Sequence, residues 1–183
     1  TNELDQLNFR ISQFLLLSKK EIIGKEKTRF SMNHMIEEVL TFLYPSILDA
    51  NVEIIKKIPE EYEIIGYQDE IRQVLINIVF NAVDVLSQYR DDPIIKIQSQ
   101  KVNGTHLKLK IANNGPAIPD SMLQSIFEPF VTTKTLGTGL GLFVSKEIIE
   151  KHKGFLACSS VQDCTEFVIL LPLAKEAPRP VTS

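Results

Sequence analysis

The sequence predicts an α+β fold, a two-layer α/β sandwich in which helices cover one face of a mixed, mostly antiparallel sheet, with one further helix at the N-terminus. Three observations carry this reading. Some segments repeat apolar residues every three to four positions, as helices do; others alternate apolar and polar residues, as half-buried strands do; and the two kinds follow one another without the regular βαβ order of a doubly wound sheet. The 183 residues suffice for one sizeable core. With 44% hydrophobic and 23% charged residues, the composition is that of a folded globular domain. A net charge of −3, with both signs interspersed, disfavours nucleic acid or anionic lipid as a partner.

The elements follow in chain order. Leu4, Leu7, Ile11, Phe14 and Ser18 lie on one side of a helix at bundle spacing, either to meet a partner helix or as an ordinary amphipathic face. The charged stretch Lys19 to Lys27 reads as a linker. Asn33 is the expected cap of a helix whose apolar face, Met35, Ile36, Val39, Leu40 and Leu43, ends near Pro45. Short strands are expected at Val52 to Lys56 and Tyr62 to Ile65.

From Asp69 to Leu86, Ile71, Val74, Leu75, Ile78, Val79, Ala82, Val83 and Leu86 keep helical period over four turns. Ile95 and Ile97, then Leu107, Leu109 and Ile111, alternate with polar residues around Asn103-Gly104, a hairpin turn signal. A helix is expected from Phe143 to His152. Strands are expected at Phe155 to Cys158 and Phe167 to Leu171, followed by a disordered tail after Pro172. No apolar run approaches the roughly 18 residues of a membrane span, and no signal sequence opens the chain. The expectation is therefore a cytoplasmic location without membrane contact by these residues, any anchor belonging to upstream segments. Cys158 and Cys164 then read as reduced thiols.

Chemistry concentrates in four places. On the long helix, Glu70, Gln73, Asn77, Asn81 and Asp84 form a polar stripe beside the apolar one. Two asparagines one turn apart carry a small helix-propensity cost; the stripe alone is better explained as a solvated face. Gly137-Thr138-Gly139-Leu140-Gly141-Leu142 runs directly into a helix start, where unpaired amides and the helix dipole favour a phosphate. It has neither the acidic partner of a dinucleotide fingerprint nor the Gly-Lys-Ser/Thr ending of a P-loop. Asn113-Asn114-Gly115-Pro116-Ala117-Ile118-Pro119 closes a strand, and Phe127-Glu128-Pro129-Phe130 follows; singly, each could be turn chemistry.

In this order and spacing the four clusters resemble the ATP-binding domain of sensor histidine kinases, in the superfamily shared with gyrase, mismatch-repair ATPases and a heat-shock chaperone. Arg72 to Ala82 resembles the N box, Asn113 to Ile118 the first glycine box, Phe127 to Phe130 the F box and Gly137 to Leu142 the second glycine box. Pro129 to Lys134 is similar to the nitrogen-regulation and sporulation kinases. The resemblance implies the Bergerat-type fold for residues 28–174. It makes residues 1–27 the end of a dimerisation and phosphotransfer hairpin plus linker, and 175–183 a disordered tail.

The resemblance also implies ATP and Mg²⁺ as ligands. Asn81 should coordinate the metal with help from Asn77. Nucleotide contacts should come from these two with Asp84, Asn113, Gly115, Ala117, Ile118, Phe130, Thr133, Lys134, Gly137, Thr138, Gly139, Leu140, Gly141 and Leu142. The loop from Phe130 to Gly139 should close as a lid. Asn113 stands where the family usually has an adenine-binding aspartate; its oxygen can still accept from N6 while its NH₂ donates to N1. Ala117 and Cys164 replace glycines.

Hydrolytic relatives carry a glutamate one turn before the metal asparagine. Here Asn77 stands there, and an amide cannot take a proton, which favours phosphoryl transfer over hydrolysis. His34, His106 and His152 lack the acidic neighbour and later proline of the family's phosphoacceptor. The expectation is an enzyme whose histidine lies in a phosphoacceptor domain outside this chain and whose product goes to a response regulator. The full-length protein should be a homodimer. Two rivals stand beside it: a serine kinase of the anti-sigma type, and a degenerate nucleotide-binding module.

Overall fold

The computed structural model describes residues 26–89, 91–132 and 138–175. The expected seam from Leu4 to Ser18, Thr133, Lys134, Gly137 and everything beyond 175 lie outside the described residues.

The described chain opens on a short strand, β1 (Thr28–Ser31), that passes into helix α1 (Met32–Asp49). Ser31, not Asn33, is the cap: its hydroxyl accepts from the His34 N–H at 3.1 Å. Asn33 already sits in the first turn, and its amide reaches sideways to donate to the Glu60 carbonyl and accept from the Tyr62 N–H. The helix also runs past Pro45 to Asp49, because Ile47 continues the buried face. Pro45 and the residue four before it, Thr41, are both exposed, so the bond lost at the proline lies on the solvent side.

Two sheets follow. β3 (Glu63–Gly66) pairs antiparallel with β1, not with the main sheet. β2 (Glu53–Lys57), β4 (Ile94–Val102), β5 (His106–Asn113), β7 (Cys164–Pro172) and β6 (Phe155–Val161) form the five-stranded sheet in the order β2-β4-β5-β7-β6. Only β2–β4 is parallel. The β4–β5 turn is the expected one: Asn103 and Gly104 have φ of 51° and 68°, and the Thr105 N–H donates to the Val102 carbonyl.

The long helix α2 (Gln68–Tyr89) buries Ile71, Val74, Leu75, Ile78, Val79, Ala82, Val83 and Leu86, the predicted face. It packs with α1 and with α4 (Gly141–Lys151) over one face of the sheet, whose inward residues are Ile95, Ile97, Leu107, Leu109, Ile111, Phe167, Ile169 and Leu171. Each of these side chains contributes roughly 1.5–3 kcal/mol when fully buried. The alternate residues Lys96, Gln98, Lys108 and Lys110 lie on the opposite face, so helices cover only one side. α3 (Asp120–Leu123) is a single turn that the sequence did not signal.

Leu173 and Ala174 are not a loose tail. Their N–H groups donate to the Thr105 and Glu63 carbonyls, strapping this segment across both sheets. Cys158 and Cys164 are both free, and they stand opposite Phe167 and Val161 respectively, not opposite each other.

His152 joins α4 to β3. Its Nε2 accepts from the Tyr67 N–H at 2.9 Å and its Nδ1 lies 2.7 Å from the Ile148 carbonyl, so the ring is the neutral tautomer with the proton on Nδ1. A Cβ on Gly66 would meet this ring at 2.5 Å. Burial lowers the His152 pKa below its ordinary 6.5. The unfolded chain therefore takes up a proton near pH 6.5 that the folded chain refuses. The stability due to this clasp is fully present above about pH 6.5 and falls as pH drops from there toward the lowered folded value. Melting temperature followed from pH 7.5 to 5 should decline in the wild type and decline less steeply in His152→Gln; equal slopes would contradict the assignment.

Candidate nucleotide site

A cavity of about 500 Å³ opens between α2, the end of β5 and the start of α4. This volume is within the range of small-molecule pockets. One wall is the polar stripe of α2, with Asn77, Asn81 and Asp84 beside Phe80, Ala82 and Val85. The opposite wall is largely apolar, with Ile118, Met122, Ile126 and Phe167. Asn113 and Thr165 lie at its floor, and Thr138, Gly139, Gly141 and Leu142 border the end nearest α4. An apolar slot with amides along one side and a helix N-terminus at one end suits a flat base that carries an anionic chain.

Asn113, Thr165 and Asn77 are each held by identified partners. Asn113 is buried; its Oδ1 accepts from the Gly115 N–H at 3.0 Å and its Nδ2 points to the Thr165 carbonyl across 3.4 Å. The Ile118 N–H donates to Ser160 Oγ, which shares a 2.7 Å bond with Thr165 Oγ1. Asn77 is only 2% exposed, and its Nδ2 donates to the Gly141 carbonyl and to Ser145 Oγ, both at 3.1 Å.

Gly139 has φ of 64°, and a Cβ there would stand 2.4 Å from the Phe130 carbonyl carbon. The Phe130 N–H donates to the Gly139 carbonyl at 2.9 Å. Phe130 itself has φ of 67° and is 75% exposed, a left-handed conformation costing on the order of 1–3 kcal/mol in a non-glycine residue.

Of the expected residues, the structure gathers Asn77, Asn81, Asp84, Asn113, Ala117, Ile118, Thr138, Gly139, Gly141 and Leu142 around the cavity. Gly115 stays behind it, where a Cβ would crowd Asn113 and Val85. Leu140 is the cap residue of α4, and Phe130 turns outward. Ala117 and Cys164 have no positive φ, so neither replacement of glycine strains the backbone. Thr165, Phe167, Met122 and Ile126 were missed. Thr165 enters only through its register opposite Asn113, which no local motif announces.

Residues 66–175 match the family of histidine kinase-, DNA gyrase B-, and HSP90-like ATPases. The chain belongs to this family. Within it, the catalytic domain of histidine kinase ThkA superposes with a TM-score of 0.72 at 34% identity, covering 80% of this chain and 95% of that one. These residues thus form a histidine kinase-type catalytic domain. ThkA has also been solved in complex with response regulator protein TrrA, a structure that matches 95% of this chain and 49% of its own with a TM-score of 0.75.

The signal transduction histidine-protein kinase AtoS of Escherichia coli is 33% identical over 93% of the chain. The sensory histidine kinase/phosphatase NtrB of Rhizobium leguminosarum is 30% identical over 88% of it. The chain spans only 28% and 46% of the lengths of these two relatives. Among the described residues no helix is long and apolar enough to cross a membrane.

Proposed function

We propose that this chain is the ATP-binding catalytic domain of a two-component sensor histidine kinase, transferring the ATP γ-phosphate to a histidine on a helical hairpin. The observation that carries this reading is the cavity itself, with the asparagine face of α2 on one side and the glycine-led N-terminus of α4 at its end. The adenine enters between Ile118, Met122, Ile126 and Phe167, with its edge toward Asn113. That amide keeps one oxygen lone pair beyond its bond to Gly115, and a second N–H beyond its contact with Thr165, to meet N6 and N1. The phosphates lie along the α4 N-terminus, where first-turn amides meet negative charge. By the family resemblance, Thr133, Lys134 and Gly137 add phosphate contacts in this reading.

The donor set fits Mg²⁺. Among the described residues no cluster of three or more His, Cys, Asp or Glu could hold a metal by protein ligands alone, whereas an asparagine amide with phosphate oxygens suits a hard ion that keeps several waters. Asn81 is the holding residue, with Asn77 beside it. When bound, the ion neutralises charge on the phosphates. The chain's own residues do the rest by binding and orienting, since Asn77 offers no base for water. The product passes to a response regulator, and the full-length protein works as a cytoplasmic-facing homodimer.

The experiment is to incubate the chain with labelled ATP, Mg²⁺ and a separately produced histidine-bearing hairpin from a related kinase. Label should enter the hairpin as acid-labile, base-stable phosphate. Acid-stable label would instead favour a serine kinase, and ATP binding without transfer a binding module.

A further inference from the structure

We propose that Ser145 is a positioning residue for nucleotide binding, and that it acts through Asn77 to fix the first turn of α4. The inference rests on the nucleotide-site reading above and deepens it.

Ser145 is wholly buried on the side of α4 that faces α2. Its hydroxyl donates to the Gly141 carbonyl at 2.8 Å and accepts from Asn77 Nδ2 at 3.1 Å, while the same Nδ2 also donates to Gly141. Three groups from two helices thus close a triangle of hydrogen bonds around the residue that opens α4. Its corners differ in access. Asn77 and Gly141 line the cavity; Ser145 does not.

The first-turn amides of α4 are the groups offered to the anion, and their aim depends on where Gly141 sits. Glycine there leaves the backbone unrestrained, and a Cβ would approach Asn77 no closer than 3.8 Å, so packing alone does not locate it. The triangle supplies that restraint. Asn77 spends its NH₂ on the neighbouring helix and thereby becomes part of the frame that sets the phosphate end of the site.

A merely structural serine would behave differently. A serine hydroxyl bonded to the carbonyl four residues back weakens and bends a helix slightly, and alanine is the better helix former. Ser145→Ala should therefore melt within a few degrees of the wild type, yet bind ATP about 5- to 20-fold more weakly by titration calorimetry, a change we set at the scale of one or two buried hydrogen bonds. In an Asn77→Ala background the same substitution should have a smaller effect, because only the direct Ser145–Gly141 bond is left to lose.

Unchanged affinity in Ser145→Ala would overturn the proposal, and so would an undiminished effect in the double mutant. Should Ser145→Ala fail to fold, Ser145→Cys, which keeps a weaker acceptor, must give an intermediate affinity; wild-type affinity would sink the idea. Absence of ATP binding by the wild-type chain overturns the nucleotide reading itself, a result distinct from either of these.

Discussion

Asn81→Ala should leave the fold intact and remove magnesium-dependent ATP binding. Asn81 lies on the cavity side of α2, partly exposed, four residues beyond buried Asn77, and the apolar face that holds α2 in the core is on other residues. Losing its amide therefore costs little packing, and alanine raises helix propensity. Losing a direct metal ligand costs more than losing the outer-shell partners whose removal weakens metal binding by roughly 10- to 100-fold, so the fall in affinity should be at least about 100-fold. The check is a pair of titrations with and without Mg²⁺. Affinity that is high in wild type with the ion, and equally low in the variant with or without it, is the expected pattern. A variant that keeps the magnesium effect would move the metal to other residues.

Gly139→Ala should be nearly as severe for binding, for a different reason. Two faults coincide at this position. The backbone is left-handed at φ 64°, and the new methyl would press into the main chain of Phe130 and Val131 at 2.4 to 2.7 Å, where no flexible side chain can yield. The segment must therefore give up the Phe130 N–H to Gly139 carbonyl bond and reposition the border of the cavity. Because the loop is peripheral to the core, melting temperature should change by only a few degrees while ATP affinity falls by about 10-fold or more, at 1.4 kcal/mol per decade. A variant with wild-type affinity would mean that this part of the loop does not shape the site.

What could be read from the sequence follows the range of the signal. α2 was legible because eight apolar residues keep one period over four turns, and the β4–β5 hairpin because Asn-Gly demands one turn type. β1 was invisible, since four residues with one fully buried side chain, Phe30, hold no period. Asn33 and Ser31 both cap well, and only the position of Tyr62 and Glu60 decides which does. The four motif clusters were legible as local strings, and ten of the residues expected to contact nucleotide line one cavity. The packing between the strings was not. Nothing in the sequence places Ser145 against Asn77 or Thr165 beside Asn113, because helix contact and strand register join residues more than fifty positions apart.

The strap formed by Leu173 to Lys175 has a mechanical reading. Ala174 bonds to Glu63 on β3, Arg29 on β1 pairs with the same Glu63 and donates to the Lys175 carbonyl, and β1 lies against β3. β1 and the segment Ala174 to Lys175 thus meet at one small knot on the two-stranded sheet. A short peptide could join Lys175 to Thr28 and allow new ends to be cut at the Asn103-Gly104 turn, which contributes no residue to the cavity. Seen as machinery, force applied at Lys175 would load both sheets at once, whereas force applied at Thr28 would load β1 and β3 first and reach α4 through the Tyr67–His152 bond.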